Sequence, residues 1–259
     1  MVGMATQSKR RLADNLRRVR DRIGAACAQA GRDPESITLI AVTKTVEVDV
    51  IRQALDVGLL DLGESKVQEL TQRAGMIHEY MSRRRLASGG RPQLSPRWHM
   101  VGHLQRNKVK TVLPWIEVIH SLDSLRLAEE INVQAARASR RVKVLMQVNA
   151  SGEKSKHGVA VGASTHLAEQ IVSLPNLELI GLMTMGPLPS DQEGVTSPRP
   201  YFARLRELFE EIAGERLVGE SFRHLSMGMS LDLEDAILEG ATTVRIGSAL
   251  FDGLGPVAD

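Results

Sequence analysis

Eight short apolar runs, each followed by a segment of helical spacing, set the narrowest limit on what this chain can fold into. The first, Ile37–Thr43, is rich in β-branched residues, too short for a buried helix, and bounded by Pro34 and the polar stretch after Lys44, so it predicts a buried strand. Leu59–Gly63, Trp98–Val101, Glu117–Ser121, Val142–Val148, Leu177–Met183, His224–Met227 and Thr243–Ile246 supply seven more. Helices are expected at Glu47–Val57, from Lys66 to Gln72 onward, and at Gln105–Val112, Ser124–Ala138, Thr165–Ser173, Tyr201–Ala213 and Asp232–Leu238. This alternation across 259 residues fits a single-domain α/β fold, a (β/α)8 TIM barrel, with a doubly wound open sheet as the alternative. Ahead of the first strand, Leu12, Leu16, Val19 and Ile23 recur at threes and fours and predict an extra N-terminal helix over Ser8–Ala30, ending near Gly31.

Between these elements, Ser82–Pro96 and Gly186–Pro200 collect Gly, Pro, Ser and charge and are expected as exposed loops. Arg83, Arg84 and Arg85 read as a solvated charge run rather than a phosphate patch. The formal charge of +2, with Lys and Arg spread along the chain, argues against a nucleic-acid partner or an acidic membrane surface. No run approaches the ~18 apolar residues of a spanning helix, and Met1–Leu12 lacks the apolar core of a signal peptide. With Cys27 as the only cysteine, the expected location is cytoplasmic.

A barrel of this kind places its chemistry where the strands end. Lys44 follows the first run, where a poorly hydrated mouth would leave a nucleophilic amine able to form an imine with an aldehyde; a lysine with its head in water fits the position equally well. His224–Ser230 ends the seventh run and leads into an expected helix, so its small residues and the hydroxyls of Ser226 and Ser230 suit a phosphate. Val244–Ser248 ends the eighth, with Arg245 for a charge-assisted contact and Gly247 for close backbone approach. Ser65, after the second run, and Met183, ending the sixth, could line a flat ring, although they read as readily as turn and core residues. His99 and His103 stand four apart across Gly102 with no carboxylate or cysteine at ligand spacing, so no metal is expected. A lysine at a barrel mouth together with an anion cradle calls for an aldehyde that carries a phosphate, and pyridoxal 5'-phosphate fits that description.

Six segments carry a resemblance to a known family: Ala41–Thr45, Gly63–Glu69, Trp98–Lys108, Gln147–Lys156, Leu225–Ser230 and Val244–Ser248. In these the chain resembles the pyridoxal phosphate homeostasis proteins of the YggS/PROSC type over nearly its whole length. The resemblance implies the barrel of the alanine racemase N-terminal domain and a Schiff base between the cofactor and Lys44. It places Ser226, Met227, Gly228 and Met229, with Arg245, Gly247 and Ser248, around the phosphate and one side of the ring. It implies a role in vitamin B6 and amino-acid homeostasis, pyridoxal phosphate as ligand, apo-enzymes that use it as further partners, and a monomer or weak dimer. The chain departs from the family in having Ser65 where Asn is usual, and in a longer stretch before Trp98.

Two readings of that site follow: a carrier that binds the cofactor without turnover, and an amino-acid racemase. A racemase needs an acid–base group opposite the lysine, yet neither Tyr80 nor Tyr201 ends a strand, and a chain filled by one barrel has no room for the second domain that two-domain racemases bring. The sequence therefore predicts the carrier, with no catalytic residue.

Overall fold

The computed structural model describes residues 2–87, 95–153, 157–186, 197–215 and 217–254, with side chains from residue 7. Its strands are β1 (Thr38–Val42), β2 (Asp61–Glu64), β3 (Arg97–Met100), β4 (Ile116–Leu122), β5 (Val142–Asn149), β6 (Leu177–Met183), β7 (His224–Ser226) and β8 (Thr243–Ile246). Every pairing is parallel and joins neighbours in chain order, and β1 pairs with β8 over Thr38–Ala41. That last pairing closes the sheet into the expected barrel and rules out the open, doubly wound alternative. A two-residue strand, Val159–Ala160, pairs with the end of β5.

Around the barrel lie α2 (Val48–Asp56), α3 (Val67–Ala87), α4 (Val109–Val112), α5 (Leu125–Arg137), α6 (Val161–Val172), α7 (Arg199–Gly214), α8 (Leu233–Leu238) and α9 (Ser248–Phe251), preceded by α1 (Val2–Gln29). None of these helices is long and apolar enough to cross a membrane. Helix α1 buries Leu12, Leu16, Val19 and Ile23, the stripe read from spacing, and Gly31 at φ 65° turns the chain away from it. The stripe lies on α8, α9 and α2. Polar contacts hold the same interface: Arg22 forks onto Glu234 at 2.5 and 2.7 Å, and Asn15 Nδ2 donates to the carbonyls of Leu250 and Asp252.

The reading of Ser82–Pro96 as loop is corrected at its start, because Ser82–Ala87 completes α3. Arg83 meets Glu79 one turn back at 2.5 Å and Arg84 reaches Asp56 of α2 at 2.7 Å, so these arginines extend a helix instead of breaking one. Of the two loops, residues 88–94 and 187–196 lie outside the described residues, and Arg199 and Pro200 already belong to α7.

Candidate functional site

At the carboxyl ends of the strands lies a cavity of about 550 Å³, within the range of about 300–1,000 Å³ that small ligands occupy. Lys44, Ser65, Met229, Arg245, Gly247 and Ser248 all line it. Residues from β1, β2, β7 and β8, far apart in the chain, thus share one concave surface. Ser226, Met227, Gly228 and Met183 do not line the cavity. Ser226 and Met227 are buried beneath it, and Gly228 at φ 92° makes the turn out of β7, where an added Cβ would lie 2.6 Å from Ala236. Met183 is fully buried with Val118, Leu145 and Ile180, in an apolar cluster of its own. Met185, two residues on, lines the cavity together with Met229.

Lys44 is exposed, not held in the dry mouth expected of a residue that ends a strand. Strand β1 stops at Val42, so the turn beyond it carries the lysine out over the cavity wall. That turn is anchored from below. Arg73 of α3 donates to the carbonyl of Thr43 at 2.7 Å and to Glu64 at 2.5 Å, and the Thr43 hydroxyl donates to the same carboxylate oxygen. Burial pushes the Glu64 carboxyl above its ordinary pKa, against the pull of the Thr43 and Arg73 bonds, and its second oxygen has no partner. Arg73→Met would leave this carboxyl buried beside one hydroxyl, at an expected cost of about 3 kcal/mol at neutral pH. Because the folded-state pKa is raised, that cost grows as pH rises above the ordinary carboxylate range and shrinks below it. Urea denaturation at pH 5 and pH 7 checks the direction.

Arg245 is the cavity's buried charge. Nη1 donates to Ser226 Oγ at 2.7 Å and Nη2 to the Thr184 carbonyl at 2.8 Å, both neutral acceptors. Burial draws its pKa down to about 10, with Asp232 pulling the other way. A guanidinium so placed is stabilised by any anionic or strongly accepting group that enters the cavity. Across from it, Met229 N–H donates to Asp232 at 2.5 Å, and Ala249 N–H donates to Ser230 Oγ at 3.1 Å, tying the β7 and β8 loops together. Burial raises the Asp232 carboxyl while the Met229 N–H lowers it.

These residues fit pyridoxal phosphate: a solvent-reachable amine, a cation whose hydrogen bonds among the described residues go to neutral acceptors, and a glycine and a serine where the backbone comes close. An added Cβ at Gly247 would lie 3.3 Å from the Val42 carbonyl. Sequence spacing offered His103 no carboxylate, yet the fold brings Asp123 to 3.2 Å and stacks His157 on it at 4.3 Å between centroids. The two rings lie only 14° from parallel, so their in-plane lone pairs do not converge, and the group is a polar stack in this conformation.

Comparison with known proteins agrees with the geometry. The pattern of the alanine racemase N-terminal domain matches residues 8–254. A pyridoxal phosphate homeostasis protein of Aquifex aeolicus is 41% identical over 92% of this chain and 96% of its own. One from Escherichia coli K12 is 38% identical over 93% and 95%, and the Homo sapiens one is 36% identical over 91% and 84%. Among solved structures, PipY of Synechococcus elongatus with pyridoxal phosphate bound superposes with a TM-score of 0.75, at 28% identity over 93% of this chain and 99% of PipY. The alanine racemase of Corynebacterium glutamicum, 15% identical with a TM-score of 0.65, shares the fold over 96% of this chain and 62% of its own.

A parallel barrel with a lysine beside its carboxyl-end cavity defines the class. The chain belongs to the alanine racemase N-terminal domain family and, within it, to the pyridoxal phosphate homeostasis proteins.

Proposed function

We propose that this protein binds pyridoxal 5'-phosphate through Lys44 and holds it in the cytoplasm without turning over a substrate, as a store from which apo-enzymes draw. The observation that carries the reading is the meeting of Lys44 and the anion-seeking Arg245 on one cavity wall system, with Gly247 and Ser248 between the strand ends. When bound, the cofactor supplies an aldehyde that condenses with an amine and a phosphate that seeks cations and N–H donors. Lys44 offers the amine, and the joined loops at Met229–Ser230 and Gly247–Ser248 offer the phosphate side. Ser65 lines the same cavity, and its short side chain leaves space that a longer amide would take.

The racemase reading would need a second acid–base group, such as a tyrosine, opposite the lysine. Among the described residues no tyrosine lines the cavity: Tyr80 lies on α3 under the guanidinium of Arg52, and Tyr201 opens α7. The relatives named as homeostasis proteins also match almost end to end, whereas the racemase matches in fold alone.

The test is a visible absorbance spectrum of protein incubated with pyridoxal phosphate, before and after borohydride reduction, followed by peptide mass mapping. A band that reduction removes, with the cofactor's mass left on the peptide containing Lys44, is the expected result; no band at saturating cofactor overturns the reading. Arg245→Gln removes the buried charge and is expected to weaken cofactor retention about tenfold, roughly 1.4 kcal/mol, with the fold kept. Equilibrium dialysis measures it, and an unchanged affinity would remove Arg245 from the site.

A further inference from the structure

The barrel's interior is crossed by a continuous line of polar side chains that neither cavity wall requires. At the amino ends of the strands a second cavity, about 310 Å³, is lined by Asp61, Arg97, His99, His120 and His224. From there His99 Nε2 lies 3.1 Å from Asp61 Oδ1, His99 Nδ1 lies 2.9 Å from His120 Nε2, and His120 Nδ1 lies 2.9 Å from Ser226 Oγ. Ser226 Oγ accepts from Arg245, which lines the cofactor cavity at the other end. About 13 Å of strand, at about 3.3 Å per residue, separates Asp61 from the level of Ser65.

With both imidazoles neutral, the two ends fix the direction of every link. A guanidinium only donates and a carboxylate only accepts. Asp61 takes the His99 Nε2–H, which leaves His99 Nδ1 as acceptor for the His120 Nε2–H. His120 Nδ1 then accepts the Ser226 O–H, and the Ser226 lone pair faces Arg245. All four links are satisfied in this single order. Burial lowers the His120 pKa well below the ordinary value, so this ring stays neutral as the order requires. Burial favours a protonated Asp61, but the His99 and Arg97 bonds outweigh it and hold that pKa at about 2, which keeps the acceptor end ionised.

We infer that Asp61, His99 and His120 are positioning residues for the cofactor cavity: through Ser226 they set the orientation of the Arg245 guanidinium from the opposite mouth of the barrel. The inference rests on the cofactor reading above. An apolar filling of the same volume would support the strands equally well but would leave Ser226 free to turn its proton towards Arg245.

The experiment compares His120→Leu, which cuts the line, with His99→Gln, whose amide can accept from His120 and donate to Asp61. Dissociation constants for pyridoxal phosphate and the position of its visible band are measured on protein whose thermal unfolding is recorded in parallel. His120→Leu is expected to weaken binding about tenfold and to move the band, while His99→Gln restores both to near wild type. Unchanged affinity and band in folded His120→Leu, or equal damage from His99→Gln, would sink the proposal. Should His120→Leu fail to fold, ¹H–¹⁵N correlation of the wild-type imidazoles at pH 8, above the ordinary histidine pKa of about 6.5, decides instead. Both rings must be Nε2–H tautomers, and an Nδ1–H form of His120 overturns the line. A wild type that shows no cofactor band defeats the function proposed above, and the tautomers still report on the relay separately.

Discussion

Lys44→Ala protein, incubated with pyridoxal phosphate and treated with borohydride, is expected to carry no cofactor on the chain and to retain it on the order of a hundredfold more weakly, about 2.7 kcal/mol. The expectation follows from where the amines are. Lys44 is the lysine that lines the carboxyl-end cavity among the described residues. Lys143 pairs with Glu117 at the opposite mouth, Lys66 with Glu69 and Lys9 with Asp56, all outside that cavity. The phosphate side and Arg245 survive the substitution, so weak non-covalent binding remains and the circular dichroism spectrum is unchanged. Covalent labelling at wild-type stoichiometry in the mutant would place the reactive amine elsewhere and remove the core of the proposed function.

The second large effect concerns the fold. Gly181 pairs with His224 across β6 and β7 at φ 155°, and a Cβ built on it would fall 1.8 Å from the His224 carbonyl oxygen, 2.9 Å from its nitrogen. Backbone of a neighbouring strand cannot rotate away as a side chain tip can. Gly181→Ala must therefore part the two strands or strain its own backbone, at an expected cost of about 3 kcal/mol, the sum of ordinary overpacking and backbone strain. Urea unfolding measures it, and a loss under 1 kcal/mol would show that β6 can shift sideways. Since β7 carries Ser226 and leads to Met229, cofactor retention should fall with it.

The repeating pattern of the barrel could be read from the chain because each strand is a short apolar run and each helix shows its own period. The same count leaves an open sheet possible, and closure is decided by the pairing of β1 with β8. Helix α3 ran past its expected end since Arg83 and Arg84 look like loop charge until Glu79 and Asp56 are placed beside them. Lys44, Ser65, Arg245, Gly247 and Ser248 were reachable because a residue at or just past the end of a strand sits at the mouth whatever the details. Local spacing also hides that the register of β6 against β5 slips between Val144 and Leu145, and that Met183 packs with Val118, Leu145 and Ile180 instead of lining the cavity. Asp232 read as an acidic first-turn residue of a helix, and only the fold reveals that it holds the Met229 N–H. The line from Asp61 to Arg245 joins residues from five strands, a relation no window of sequence contains.

The clasp that α1 forms on α8 and α9 also has a consequence in time. Asn15 waits for Leu250, 235 residues later, and Arg22 for Glu234, 212 residues later. On the ribosome the amine of Lys44 is made well before the strand that closes the barrel beside it and the loops proposed to hold the phosphate. A nascent chain thus presents an ordinary lysine and an unpaired sheet edge until that strand has been made. Capture of the cofactor therefore waits for the closing strand, however early the lysine itself is made.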